Sequence, residues 1–281
     1  MPPAGTAPLA ASSGNPEFLG LDFLNTASCF ETLRVYRGRI FYLNEHIARF
    51  AESCRGMGNS FPSSSQELAE WLTSAVRESG YPQAIARVSL HWPAGSISEG
   101  EIVVLIRPFD GYPASWYTEG VSFQSSALRR SSPRALDPQL KVSQYVAGVL
   151  ATLDRGEVDS HEILFFGDTG LVAEGSVSNL FIVRKGVLLT PSAASGILRG
   201  VTRSVVMGLA GQRGYLVRET GLTRHDLYSA DECWMTNTSS EVLPVTTVDN
   251  RKIQDGVPGP VAKQLLIDFQ LEVERYLHEN P

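Results

Sequence analysis

The stretch from residue 162 to 190 constrains the fold more than any other part of the chain. It reads EILFF, then Gly167, Asp168, Thr169 and Gly170, then LVAE; after GSVS it reads NLFIV, then Arg184, Lys185 and Gly186, then VLLT. Each pair of short apolar runs flanks a tight cluster of turn residues, the pattern of a β-hairpin. Two hairpins in succession commit this part of the chain to a sheet.

The flanking sequence mixes both element types. RVYRGRIFYL (34–43) reads as another hairpin, turning at Arg37 and Gly38. Asn44 is placed to cap a helix in which Ile47, Phe50, Ala51, Cys54 and Met57 form an apolar face, with Gly56 and Gly58 marking its end. Leu68, Trp71, Leu72, Ala75 and Val76 predict a second helix over 66–79, followed by strands over 84–92 and 101–109. Pro113, two glycines and the lack of a helical period make 110–120 the expected linker. Beyond it come a strand at 121–128, an apolar helix at 142–154, the two hairpins and a helix at 202–213. Strands near 215–219, 232–237 and 243–248 and a last helix at 258–278 complete the chain. Strands and helices alternate without regular βαβ units, so the expected class is α+β with mixed sheets. The expected division is a flexible tail at 1–17, a small domain at 18–109, the linker at 110–120 and a large domain at 121–281.

Composition removes several kinds of function. With 43% hydrophobic and 19% charged residues this is an ordinary globular chain, and a net charge of −6 argues against a nucleic-acid partner. The one basic cluster, Arg129, Arg130 and Arg134, is short and reads equally well as a turn beside a strand. Cys29, Cys54 and Cys233 form no CxxC pair, which favours a reduced, cytoplasmic setting. No apolar stretch approaches the roughly 20 residues that cross a bilayer, and the Ala- and Pro-rich start lacks the pattern of a signal peptide. His46, His91, His161, His225 and His278 are scattered, so no metal site is expected. GMGNSF has Phe61 where a dinucleotide fingerprint needs its third glycine, and there is no Walker loop or GxSxG elbow.

What remains is one amine and one carboxylate. Lys141 is one of four lysines; Lys185 lies in a hairpin turn, Lys252 in a polar run and Lys263 on the last helix. Lys141 instead follows the irregular SSPRALDPQL and precedes VSQYVAGVLATL. By position alone it reads as a solvated helix-start residue, and Glu174, 33 residues later, as a strand-end carboxylate facing water. Their company points elsewhere: FETLRVYRGRIFYLNEHIARF precedes Lys141, and LVAEGSVSNLFIV, TPSAASGILRGVTR and WMTNTSSEVLPV follow it in that order.

These blocks, from about Phe30 to Val248, closely resemble the fold-type IV pyridoxal-phosphate enzymes. That group holds branched-chain and D-amino-acid aminotransferases, (R)-selective amine transaminases and aminodeoxychorismate lyase. The resemblance implies a two-domain fold, a small α/β domain and a larger one with mixed sheets in a pseudo-barrel. It implies pyridoxal 5'-phosphate as cofactor, with Lys141 as the Schiff-base amine and proton shuttle and Tyr145 as a phenol near O3′. Glu174 would pair with the pyridine nitrogen, so that a carbanion can delocalise into a protonated ring. Ser178 and Asn179 follow it and either support the cofactor or shape the strand start. Arg49 matches the phosphate position, although it lies about 200° from Ile47 on a helical wheel, where periodicity alone places a surface residue. Val201 and Thr202, after a glycine turn at a helix start, match a second phosphate contact, and Thr238 a third. Phe30 and Leu33 match pocket positions. Arg87 and Arg107 are candidates for a substrate carboxylate or simply strand-edge arginines.

The implied reaction is a ping-pong exchange of an amino group between a branched-chain or D-amino acid, or an amine, and a 2-oxo acid. The rival is aminodeoxychorismate lyase, which yields p-aminobenzoate and pyruvate and is resembled at Thr236 and Asn237; a remoter alternative is a non-catalytic ligand-binding descendant. LGLDFLNTASCFET stands where relatives read DRGFxxGDGVFET, beside the substrate pocket, and KVSQY replaces the common KSLNY. The resemblance further implies a homodimer whose pocket a neighbouring loop completes, with no membrane or nucleic-acid partner.

Overall fold

The computed structural model describes residues 9–10, 27–59, 64–92, 100–130, 132, 135–143, 151 and 160–280. The chain divides into two compact units: Met1–Asp110 with Leu140–Ser143 and Tyr276–Pro281, and Gly111–Gln139 with Gln144–Arg275.

The first unit is built on a sheet whose order is β1 (Leu9–Ala10), β5 (Glu101–Pro108), β4 (Gln83–Trp92), β2 (Ala27–Tyr36) and β3 (Arg39–Ile40). Only the β1–β5 pairing is parallel. Part of the expected tail therefore joins the sheet, Leu9 and Ala10 pairing with Val103 and Val104. Arg37 and Gly38 both have positive φ, 49° and 75°, the primed geometry that keeps two strands adjacent. Pleating sends Cys29, Leu33 and Val35 to one face, where they pack with Ile47, Phe50 and Cys54 of α1 (Leu43–Gly56) and Leu68, Leu72 and Val76 of α2 (Ser65–Ser79).

Asn44 does not cap α1. Tyr42 holds the N-cap position in a left-handed conformation, with no side-chain cap bond, and Asn44 sits in the first turn beside Glu45. The tight β3–α1 connection leaves no extended residue to act as a cap. By contrast α2 starts on a capping box, Ser64 and Glu67 each accepting the other's backbone N–H.

In the second unit the sheet runs β11 (Val217–Thr220), β10 (Val187–Pro191), β9 (Asn179–Arg184), β12 (Glu232–Asn237), β13 (Glu241–Val248), β6 (Val121–Arg129), β7 (Glu162–Phe166), β8 (Val172–Gly175), with β14 (Arg251–Lys252) on β13. It is mixed: β10–β11, β13–β6 and β6–β7 are parallel. Val172 N–H donates to Leu222 O at 2.8 Å, tying β8 to the segment after β11 and curling the sheet into a half-barrel. Phe123, Leu164, Phe166, Leu180, Ile182, Met235 and Leu243 line its core.

Three further features depart from the sequence expectation. The expected linker contains a helix, α3 (Ala114–Glu119), whose Trp116 stacks on Tyr112 at 4.8 Å and meets His161 edge-on at 4.4 Å. Six residues are too few to display a helical period. A second short helix, α5 (Arg224–Tyr228), follows α4 (Val201–Gln212) and starts on a Thr223–Asp226 capping box. Finally, Val142 bridges Cys29 in extended backbone rather than starting a helix. Of the helix expected at 142–154, residues 144–150 and 152–154 lie outside the described residues. The last helix, α6 (Pro260–Glu279), takes its N-terminal cap from Glu232, whose carboxylate accepts from Val261 N at 3.0 Å and Ala262 N at 2.9 Å. No helix among the described residues is long and apolar enough to cross a membrane.

Candidate active site

The first unit holds the lysine by its backbone. Lys141 N–H donates to Ser53 Oγ at 3.0 Å, Lys141 O accepts from Phe30 N at 3.0 Å, and Ser143 N donates to Ser28 O at 2.9 Å. The segment thus runs as a short extra partner along the edge of β2. Lys141 Nζ lies 4.6 Å from the centre of the Phe30 ring, and the Arg87 guanidinium carbon lies 3.8 Å from it. Arg87 also donates to Ser143 Oγ at 3.4 Å. Phe30, Arg87 and Lys141 are therefore brought together.

Arg107 and Leu33 are not part of that cluster. Arg107 sits on β5 opposite Ile85, with its guanidinium 5.8 Å from the Phe109 ring. Leu33 is fully buried in the core under α1 and α2, three positions from Phe30 and hence on the opposite face of the strand. Instead of a pocket wall it is a core residue.

Arg49 is not a solvated surface residue. Its Nε donates to Glu31 Oε1 at 2.7 Å and its Nη2 to Glu31 Oε2 at 2.8 Å, while His46 Nδ1 lies 2.9 Å from the same Oε2. His46 and Arg49 are one helical turn apart, so both reach the same carboxylate on β2. Burial alone would push the Glu31 carboxyl up. Arg49 and His46 overcome it and hold the group well below the usual carboxylate range. Burial pushes His46 down, toward its neutral form, against the pull of Glu31.

The second unit holds the carboxylate. Glu174 Oε2 accepts from Asn179 Nδ2 at 3.1 Å and from Leu198 N at 2.9 Å, and Oε1 lies 2.5 Å from Arg130 Nη2. Asn179 also donates to Leu198 O at 2.8 Å, joining the start of β9 to the loop before α4. Ser178 turns the other way: its Oγ lies 2.9 Å from both oxygens of Glu162, which also accepts from Val177 N at 2.7 Å. Burial pushes Glu162 up to about 7, although these donors pull it down.

Val201 and Thr202 open α4 behind Gly200, whose extended backbone provides no side-chain cap. Thr238 lies in a turn organised by Asn237, whose Oδ1 accepts from Ser239 N, Ser239 Oγ, Ser240 N and Ser240 Oγ at 2.8–3.0 Å. Tyr145 lies outside the described residues.

Sequence reasoning overlooked Glu31, His46, Arg130, Glu162 and the structural duty of Asn237. A signal existed for two of them: Glu162 is a charged residue opening an otherwise apolar strand, and His46 falls one turn before Arg49.

Residues 28–248 match the model of the amino-transferase class IV family. A branched-chain-amino-acid aminotransferase of Pseudomonas aeruginosa is 30% identical over 248 residues, covering 84% of this chain and 80% of that protein. A D-alanine aminotransferase of Bacillus licheniformis is 30% identical over 248 residues, covering 86% of each. The crystal structure of a T.th. branched-chain amino acid aminotransferase with pyridoxamine 5'-phosphate is similar with a TM-score of 0.84 at 32% identity, over 89% of this chain and 86% of that one. The described motifs fall inside the matched span, in order, and the chain belongs to the class IV aminotransferases.

Proposed function

We propose that this chain is a pyridoxal-phosphate-dependent aminotransferase that exchanges an amino group between an amino acid of branched-chain or D-type, or an amine, and a 2-oxo acid by a ping-pong route. The observation that carries the reading is Lys141, clamped at both backbone atoms while its amine lies over Phe30 beside Arg87.

The residues present fit the cofactor. Thr236 Oγ1 is buried with no hydrogen-bond partner among the described residues, on the β12 position paired with Asn179. At Gly200 a Cβ would come within 2.2 Å of Asn179 Oδ1, so the absence of a side chain there leaves the Asn179 amide its place beside Glu174. Arg49, Val201, Thr202 and Thr238 would hold the phosphate, and Glu174, with Asn179 beside it, the ring nitrogen; Ser178 supports that turn through Glu162. When bound, the cofactor supplies an electron sink for the carbanion at the substrate Cα. Lys141 would provide the amine that holds the cofactor and, once the substrate's amino group has displaced it, would carry the proton to and from Cα. Phe30 covers the lysine, and Arg87, with Arg107 as a more distant candidate, orients a substrate carboxylate. Tyr145, outside the described residues, would supply a phenol to the same cofactor.

The rival reading is the lyase, resembled at Thr236 and Asn237; Asn237 Oδ1 also organises its own turn, accepting from Ser240 N and Oγ. The aminotransferase reading includes a homodimer in the cytoplasm, which sedimentation of the purified protein checks for assembly. Purified protein should be yellow, lose its visible band on borohydride treatment, and convert 2-oxo acids with amino donors. Lys141→Ala should be colourless and at least about 10²–10⁴-fold slower. A colourless wild type that cannot be reconstituted sinks the reading; pyruvate released from aminodeoxychorismate without transamination replaces it with the lyase.

A further inference from the structure

We infer that Glu31, backed by His46, is a positioning residue that fixes the Arg49 guanidinium for the cofactor phosphate. The inference rests on the proposed reading of Arg49 as a phosphate contact. Glu31 is 1% exposed and accepts from Arg49 through Nε and Nη2 in a fork, at 2.7 and 2.8 Å. His46, 2% exposed, stands 2.9 Å from the same carboxylate and leaves it no room to swing.

Two effects compete. The negative charge of Glu31 cancels the charge of Arg49 at a distance, which weakens any long-range pull on an anion. The fork also freezes a side chain that would otherwise give up its rotamer freedom on binding. A planar guanidinium binds phosphate through directed N–H groups, so orientation governs the outcome when the partners are in contact. Burial pushes His46 toward its neutral form, and its Nδ1, 2.9 Å from Glu31 Oε2, adds a hydrogen bond to the carboxylate. The arrangement favours a phosphate by geometry rather than by net charge.

The test compares two ligands on apoprotein: pyridoxal 5'-phosphate, and pyridoxal, which has the same aldehyde and ring without the phosphate. Each is titrated into wild type, Glu31→Gln, His46→Gln and Arg49→Gln, following the visible band formed with Lys141. Glu31→Gln should weaken pyridoxal 5'-phosphate binding about tenfold, on the scale of the rotamer freedom an unpinned arginine must surrender. It should leave pyridoxal binding unchanged. His46→Gln, which keeps the Glu31–Arg49 fork, should show a smaller loss of the same selectivity and serves if Glu31→Gln fails to fold. Parallel loss for both ligands, unchanged selectivity, or tighter phosphate binding in Glu31→Gln would overturn the inference. Failure of the underlying reading looks different: wild type forms no band, or Arg49→Gln keeps full preference for the phosphorylated ligand.

Discussion

Glu162 carries an acid-base consequence that its neighbours set. Burial pushes its folded-state pKa up to about 7 from an ordinary 4.5. Its deprotonated form is therefore disfavoured by folding. Stability from this group is fully present below about pH 4.5 and is lost as pH rises toward 7, by on the order of 3 kcal/mol. Glu162→Gln, which cannot ionise, should lose that slope: urea midpoints of wild type and variant should converge or cross in favour of the variant between pH 5 and pH 8. Parallel curves would show that the carboxyl does not titrate in this window. Lys141, Glu174 and Arg49 were grouped as one set because their motifs follow one another in sequence in the order of the resembled family. Glu31 was not, because its partners lie 15 and 18 residues away and only the strand–helix packing brings them to it. For Arg49 the helical wheel marked the side away from the apolar stripe as the surface, where the structure has a buried ion pair.

At the scale of elements, the loop before α4 and the start of β9 are interlocked through Asn179. Gly200 has φ of −67°, which alanine tolerates, so Gly200→Ala tests contact alone. Its new Cβ would drive Asn179 from Glu174 and Leu198. A loss of about 1–3 kcal/mol in folding stability is expected, with weaker cofactor retention. A melting temperature equal to wild type would mean the loop yields without cost. The hairpins over 162–190 were legible because turn chemistry and apolar runs agree. The two short helices α3 and α5 were not, since five or six residues show no period. For α5 the Thr223–Asp226 spacing was nonetheless a readable start signal.

On the scale of the whole chain, both units are assembled from discontinuous segments, which no local pattern in the sequence reveals. Residues of α6 through Arg275 belong to the second unit and those from Tyr276 to the first. Within the first unit, Tyr276 stacks on Tyr42 at 5.0 Å, Arg39 donates to Leu277 O at 2.5 Å, and Leu277 is buried. Ending the chain at Arg275 removes the buried Leu277 side chain and the half-buried Tyr276 stack and should cost roughly 2–4 kcal/mol, read as a drop in the urea midpoint. An unchanged midpoint would show the last turn to be dispensable.

The four residues Leu140–Ser143 give this interleaving a further meaning. A split made after Asp110 would leave one fragment with Glu31, Arg49 and Phe30 and the other with Lys141, stripped of Ser53 and Phe30 as backbone partners. Neither fragment alone can position the amine. Reassembly from two pieces would have to restore a single strand-like graft before Lys141 regained its backbone partners, so the proposed Schiff-base lysine would double as a reporter of correct association.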